Sequence, residues 1–181
     1  MIQVISGTNR PNSNTLKVAT ALLKIYRESG AEAELLDLQD LPAELFNPTS
    51  YAQKPASFAP IQAKILAASG LHIVAPEYNG SYPGVMKYFI DMLKFPESFQ
   101  HRCVAFTGHG AGLWGNFRGI EQLQMIFGYR NAFILPERVW IPGIGKQLNP
   151  EGTELVNPEI LGRLADQAKG FVAFVERNAG K

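Results

Sequence analysis

The run Ser-Gly-Thr-Asn-Arg-Pro-Asn-Ser-Asn-Thr, from Ser6 to Thr15, carries four hydroxyls, three amides and one guanidinium. It follows the apolar residues Ile2, Val4 and Ile5 and precedes a helical pattern. A helix N-terminus offers unpaired backbone N–H groups and the positive end of a dipole, which suits a phosphate. Gly7 lets the backbone approach closely, and Thr8, Arg10, Ser13, Asn14 and Thr15 surround the helix start with donors. The alternative is a loop that only caps its helix through Ser13 or Asn14, but one cap leaves most of these donors unexplained. The loop is not a Walker A motif, because no Gly-Lys-Ser/Thr follows, and one glycine is too few for a pyrophosphate grip. A mononucleotide phosphate fits it best.

Two further loops carry chemistry. Pro76-Glu-Tyr-Asn-Gly-Ser-Tyr-Pro-Gly84 follows a buried apolar run. Pro76 ends that run, and Gly80 and Gly84 permit tight turns. Tyr78 and Tyr82 offer flat surfaces, and Glu77, Asn79 and the backbone offer hydrogen-bonding groups. An aromatic-rich turn packed on a neighbour is the alternative. Gly108-His-Gly-Ala-Gly-Leu-Trp-Gly115 contains a formal G-x-G-x-x-G at Gly110, Gly112 and Gly115. A lone match of this kind is a weak dinucleotide signal. Glycines that let backbone approach a ring edge, with His109 nearby, fit better; Trp114 and Phe117 read as packing at the helix start. His109 titrates in the physiological range when unperturbed and is the one candidate for an auxiliary catalytic role, meeting charge on a reduced ring. A solvated loop histidine is its alternative. One phosphate cage and two loops suited to a flat ring together describe FMN.

The elements that must position these loops follow from periodicity. Apolar runs at Gln3–Ser6, Ala33–Asp37, Leu71–Ala75, Cys103–Thr107 and Ala132–Leu135, the last extended by Val139–Ile141 beyond Pro136, mostly lack polar alternation. That is the pattern of a parallel sheet covered on both faces. Helical spacing joins Leu16 to Tyr26, Ile61 to Ser69, Val85 to Leu93, Ile120 to Phe127 and Ile160 to Val175. Five alternations of strand and helix predict an α/β doubly wound domain over residues 1–181. Ligands of such sheets sit at the carboxyl ends of the strands, where all three loops lie. Two long connections, Leu38–Phe58 and Pro142–Pro158, interrupt the alternation and read as functional or partner-facing.

Composition narrows the function. The 181 residues suit one sizeable core. A net charge of +1 gives no reason to expect nucleic acid or an anionic membrane surface. The single cysteine, Cys103, excludes an internal disulfide and leaves a metal cluster without support. No apolar run approaches the ~18 residues of a membrane span, and the N-terminus reads as a strand, not a signal segment. A cytoplasmic protein is the expectation.

These motifs resemble those of the NADPH-dependent FMN reductases of the flavodoxin-like superfamily, which include quinone, chromate and azo-dye reductases. The family's first loop, G-S-x-R-x-x-S-x-N, is followed from Gly7 to Asn14, with Thr8 in place of the serine and the tail off by one step. Its second loop, P-E-Y-N-G-S-x-P-G-x-x-K, is matched from Pro76 to Lys87. The third loop keeps only the glycine richness. The resemblance implies strand order 2-1-3-4-5 in a five-stranded flavodoxin-like sheet with helices on both faces. It implies that Thr8, Arg10, Ser13, Asn14 and Thr15 bind the FMN phosphate. Pro76, Glu77, Tyr78 and Asn79 would embrace the ring, with Gly108, His109, Gly110 and Gly112 near its other edge. It also implies NADPH or NADH as hydride donor, a small-molecule electron acceptor and a homodimer or homotetramer with the flavin near the subunit boundary. A non-enzymatic carrier or a flavin-binding redox sensor is the competing reading; flavodoxins resemble this fold but usually carry a strong acidic charge, and the +1 balance and Arg10 count against a carrier. A helix rich in Val85, Met86, Tyr88, Phe89, Ile90, Met92, Leu93 and Phe95 has more than one apolar stripe, which fits either a helix buried within its own domain or a subunit contact, and the oligomer implied by the resemblance favours the contact.

Overall fold

The computed structural model describes residues 1–180. Five strands, β1 (Ile2–Ser6), β2 (Ala33–Asp37), β3 (Gly70–Pro76), β4 (Cys103–His109) and β5 (Phe133–Ile141), form one parallel sheet in the order β2-β1-β3-β4-β5. Helices α1 (Asn14–Glu28) and α5 (Pro158–Asn178) cover one face. Helices α2 (Ala59–Ala67), α3 (Gly84–Met92) and α4 (Phe117–Tyr129) cover the other. The expected order and the two-sided covering are both present.

The three central strands β1, β3 and β4 are buried at every residue, which explains their unbroken apolar runs. The edge strands β2 and β5 are only partly buried. Pro136 sits within β5, where an edge strand can do without one N–H, and the β4–β5 register slips between Val104 and Phe106. The two apolar runs read on either side of Pro136 are therefore one strand.

Helix α1 shows how sequence becomes packing. Ser13 caps it by accepting from the Leu16 N–H at 3.1 Å. Val18, Ala19, Leu22 and Tyr26 recur on one face and are all fully covered. Each large apolar side chain buried in this way contributes about 1.5–3 kcal/mol relative to exposure. Gly30, at φ 82°, closes the helix by donating to the Arg27 carbonyl, and Ala31 donates to Tyr26.

The long connection 38–58 is not a free loop. It folds into four short 3-10 turns, and Leu38, Leu41, Leu45 and Phe58 insert into the core beneath α3. Tyr88 donates to the Leu45 carbonyl at 2.6 Å and stacks on Phe46. The second long connection buries Ile144 and Leu155 and closes through a bridge between Leu148 and Leu155. Most of the apolar excess on α3 has an internal explanation: Met86, Phe89, Ile90, Met92 and the following Leu93 are buried, and Phe95 beyond the helix is 58% exposed.

A buried polar chain crosses the α1/α5 face. Gln167 donates to the Phe106 and Glu137 carbonyls, so its Oε1 faces Thr107 and must accept from that hydroxyl at 2.8 Å. Thr107 Oγ1 then accepts from His72 Nε2–H at 3.0 Å. His72 Nδ1 is left to accept from the Tyr26 hydroxyl at 2.6 Å. Every bond has one direction, and His72 is a neutral tautomer with both nitrogens used. Burial pushes its pKa down to about 3 and pushes that of the Tyr26 phenol well up.

Candidate cofactor site

The three chemistry-bearing loops meet at the carboxyl ends of β1, β3 and β4, and each is held by a side chain from another. In the first, Gly7 donates to the Val74 carbonyl at 2.8 Å, and a Cβ on Gly7 would lie 2.6 Å from that oxygen. The close approach permitted by this glycine is to strand β3. Thr8 is fully buried; its hydroxyl accepts from the Arg10 N–H and shares a 3.0 Å hydrogen bond with the Tyr78 hydroxyl. Asn12 takes the left-handed conformation at φ 53° and turns the chain into the Ser13 cap. Thr15 is buried, with Oγ1 2.8 Å from His109 Nε2. The backbone N–H groups of Asn14 and Thr15, in the first turn of α1, have no partner within the chain. Arg10 is exposed at the rim. Lys17, one turn into α1, donates to Asn14 Oδ1 at 2.8 Å and adds a second cation, which the motif comparison passed over. Its position three residues after Asn14 is the signal that places it beside the loop.

The second loop is a two-residue turn. Tyr78 and Ser81 exchange backbone hydrogen bonds of 2.8 and 3.1 Å around Asn79 and Gly80, at φ 53° and 74°. Asn-Gly is the pair that tolerates two successive positive φ angles. The turn leaves Glu77 and Tyr78 half-buried and Asn79 exposed, while Pro76 is buried as the last residue of β3. Tyr78 is read from the sequence as a ring surface; the structure also sends its hydroxyl to the phosphate loop.

The third loop departs most from expectation. Gly108 and His109 belong to β4, so the loop begins at Gly110. His109 is a buried strand-end residue, 3% exposed, and not a solvated loop histidine. Its ring engages Thr15, on the phosphate side, rather than standing free to meet charge on a flavin. Burial lowers its pKa to about 4, so it is neutral throughout the physiological range. Its Nδ1 is buried without a partner. Trp114 is 71% exposed, so it does not pack at the helix start as read, whereas Phe117 rests against Trp140. The formal glycine fingerprint serves packing: a Cβ on Gly110 would press Glu77 at 3.2 Å, and one on Gly115 would press the Ile141 backbone at 2.8 Å. Gly112 meets nothing but accepts from the Gly143 N–H, which zips this loop to the turn after β5.

The donor set fits FMN. A helix start with open N–H groups, a capping serine, two buried threonine hydroxyls and two rim cations suits a phosphate dianion. The Tyr78 turn and the Gly110 loop lie beyond it along the same sheet edge, as a flat ring joined to that phosphate requires. No group of His, Cys, Asp and Glu able to hold a metal exists among the described residues. None of the described helices is long and apolar enough to cross a membrane.

Comparison with known proteins agrees with this geometry. The chain is 28% identical to a quinone reductase of Escherichia coli K12 over 97% of its length and 96% of the relative's. It is 29% identical to an FMN-dependent NADPH-azoreductase of Staphylococcus aureus, covering 93% of each. Its fold matches that of FerB, a flavoenzyme NAD(P)H:(acceptor) oxidoreductase from Paracoccus denitrificans, with a TM-score of 0.78 at 24% identity, covering 98% and 97% of the two chains. The family model for NADPH-dependent FMN reductase matches residues 1–146, which contain all three loops, and the chain therefore belongs to the NADPH-dependent FMN reductase family.

Proposed function

We propose that the chain is an NAD(P)H-dependent reductase that serves small, flat acceptors such as quinones or free flavins through bound FMN. The observation that carries this reading is the mutual tethering of the three loops. Thr8 is bonded to Tyr78, Thr15 to His109, and the Glu77 carboxylate accepts from the Asn116 N–H at 3.0 Å. Phosphate and ring sites are thereby held in one fixed relation before any ligand arrives, which lowers the ordering cost of binding. Bound FMN supplies the redox chemistry, accepting a hydride from the nicotinamide and passing electrons on.

The protein's own part is to bind and orient. The first turn of α1, Thr8, Ser13, Asn14, Thr15 and Arg10 hold the phosphate. Pro76, Glu77, Tyr78 and Asn79 border one side of the ring, and Gly108, Gly110 and Gly112 the other edge. In the tautomer that carries its proton on Nε2, the neutral His109 donates to Thr15 Oγ1, which frees the threonine O–H to donate to a phosphate oxygen. His109 is thus a positioning residue for Thr15, in place of the auxiliary catalytic role. No nucleophile or general base is required for hydride transfer, and Cys103 is buried at the start of β4.

The assembly we infer is a homodimer or homotetramer. Its support lies less in α3 than in exposed apolar residues beside it: Phe95, Met125 and Tyr129 border a groove of about 450 Å³ between α3 and α4. The enzymatic reading is tested by adding NADPH and a benzoquinone to the FMN-loaded protein. Steady NADPH oxidation that depends on the quinone supports it. FMN binding with no turnover supports the carrier or sensor instead.

A further inference from the structure

The residue that joins the second and third loops is Asn116, which no motif marks. It is fully buried and left-handed, at φ 67°, immediately before α4. Its amide nitrogen donates to two successive carbonyls at the end of β3, Ala75 at 3.0 Å and Pro76 at 2.9 Å. Its backbone N–H donates to Glu77. One residue of the third loop therefore satisfies three consecutive residues leading into the second. Two carbonyls facing one side-chain atom fix the amide's orientation, since only the NH2 end can serve both.

The surroundings are cut to this side chain. A Cβ on Gly119 would lie 2.1 Å from Asn116 Oδ1, and one on Gly108 would lie 2.5 Å from the Gly115 carbonyl and 3.3 Å from the Asn116 Cβ. Gly108 and Gly119, on the elements that flank the third loop, leave the space this clamp needs. Helix α4 takes no side-chain cap from Asn116, so capping does not account for the residue. Its amide nitrogen is turned onto β3, while its Oδ1 lies against Gly119 without a hydrogen-bond partner.

We propose that Asn116 is a positioning residue that sets the spacing between the two ring-facing loops, and that flavin affinity depends on the donor character of its amide. This rests on the reading of those loops as the flavin-ring site. An Asn116→Asp variant keeps the shape but points a carboxylate at two carbonyls. The charged form is disfavoured there by burial and by the nearby Glu77 carboxylate, so the new group takes up a proton well above the usual carboxylate range. Tyr82 and Arg118 lie on the adjoining segments, and His109 ends β4 but turns to Thr15. These groups are common to wild type and variant. A protonated carboxyl again donates one hydrogen bond, so binding recovers as pH falls.

The test is titration of wild type, Asn116→Asp and Asn116→Gly with FMN and with riboflavin from pH 8.5 to 6, followed by flavin fluorescence. Glycine accepts the left-handed backbone without strain and lacks the amide, so it carries the test if the aspartate variant does not fold. The expected result is a loss of about tenfold or more for both variants at pH 8.5. The gap should narrow toward pH 6 for aspartate alone. The loss should be of equal factor for FMN and riboflavin, because the phosphate cage is untouched. Variants that bind as wild type at every pH overturn the proposal. So does a loss confined to FMN, which would place Asn116 with the phosphate. Wild type that binds no flavin overturns the functional reading instead.

Discussion

Two buried histidines on the α1/α5 face of the same sheet have opposite surroundings. His72 lies mid-strand in β3 with both ring nitrogens bonded, in a chain that ends on backbone carbonyls at Gln167. His109 lies at the carboxyl end of β4 with one nitrogen on Thr15 and the other without a partner. Burial depresses both, to about 3 and about 4. A closed network rigidifies a core, and an unpaired buried polar atom beside an open helix N-terminus marks where the fold has been arranged for something else. The difference separates a closed part of the core from the part we propose holds the cofactor.

Removing each histidine should separate the two roles. His72→Ala opens a cavity and leaves the Tyr26 hydroxyl without its acceptor, at a cost of about 3–5 kcal/mol in chemical unfolding. FMN affinity of the folded variant should be unchanged, and a large affinity loss would join the two regions.

Acid should act on both at once. Each histidine is held neutral in the fold and protonates more readily in the unfolded chain. Their contribution is therefore complete above the ordinary histidine value of 6.5 and lost as pH falls below it, until the folded values near 4 and 3 are reached. Between pH 7 and pH 5 the cofactor-free protein should lose about 3–4 kcal/mol. A flat denaturation midpoint over that range would mean that the rings are not held neutral.

His109→Ala should weaken FMN binding about tenfold, roughly 1.4 kcal/mol, by releasing Thr15. The rate at which NADPH reduces the FMN that remains bound should hardly change in stopped flow. A slowed hydride step with unchanged affinity would restore the electrostatic role that the sequence suggests for this residue.

The burial of His109 at a strand end shows where sequence reading stops. The alternation of strand and helix, the covered central runs and the tight turn of the second loop follow from periodicity and turn chemistry, because apolar spacing and Asn-Gly act locally; the order of strands in the sheet follows only from the resemblance. The place of His109 follows from neither. Whether a residue two positions past a predicted strand end continues that strand depends on its neighbours β3 and β5, and only pairing shows it. Asn116 escaped notice for the same reason: its partners, Ala75 and Pro76, lie about forty residues earlier. Which part of the apolar surface of α3 is covered internally is not legible either, because the 3-10 turns of 38–58 that pack on it have no periodic pattern to announce them.

The most direct test of the central claim, that the α1 N-terminus and its loop form a phosphate cage, is a comparison of FMN with riboflavin binding to wild-type protein at pH 7.5. The two ligands share the ring and differ in the phosphate, whose charge-assisted hydrogen bonds contribute about 1.5–3 kcal/mol each. The account predicts that FMN binds at least about a hundredfold more tightly and that the advantage shrinks in Arg10→Ala. Equal affinities for the two flavins would contradict it.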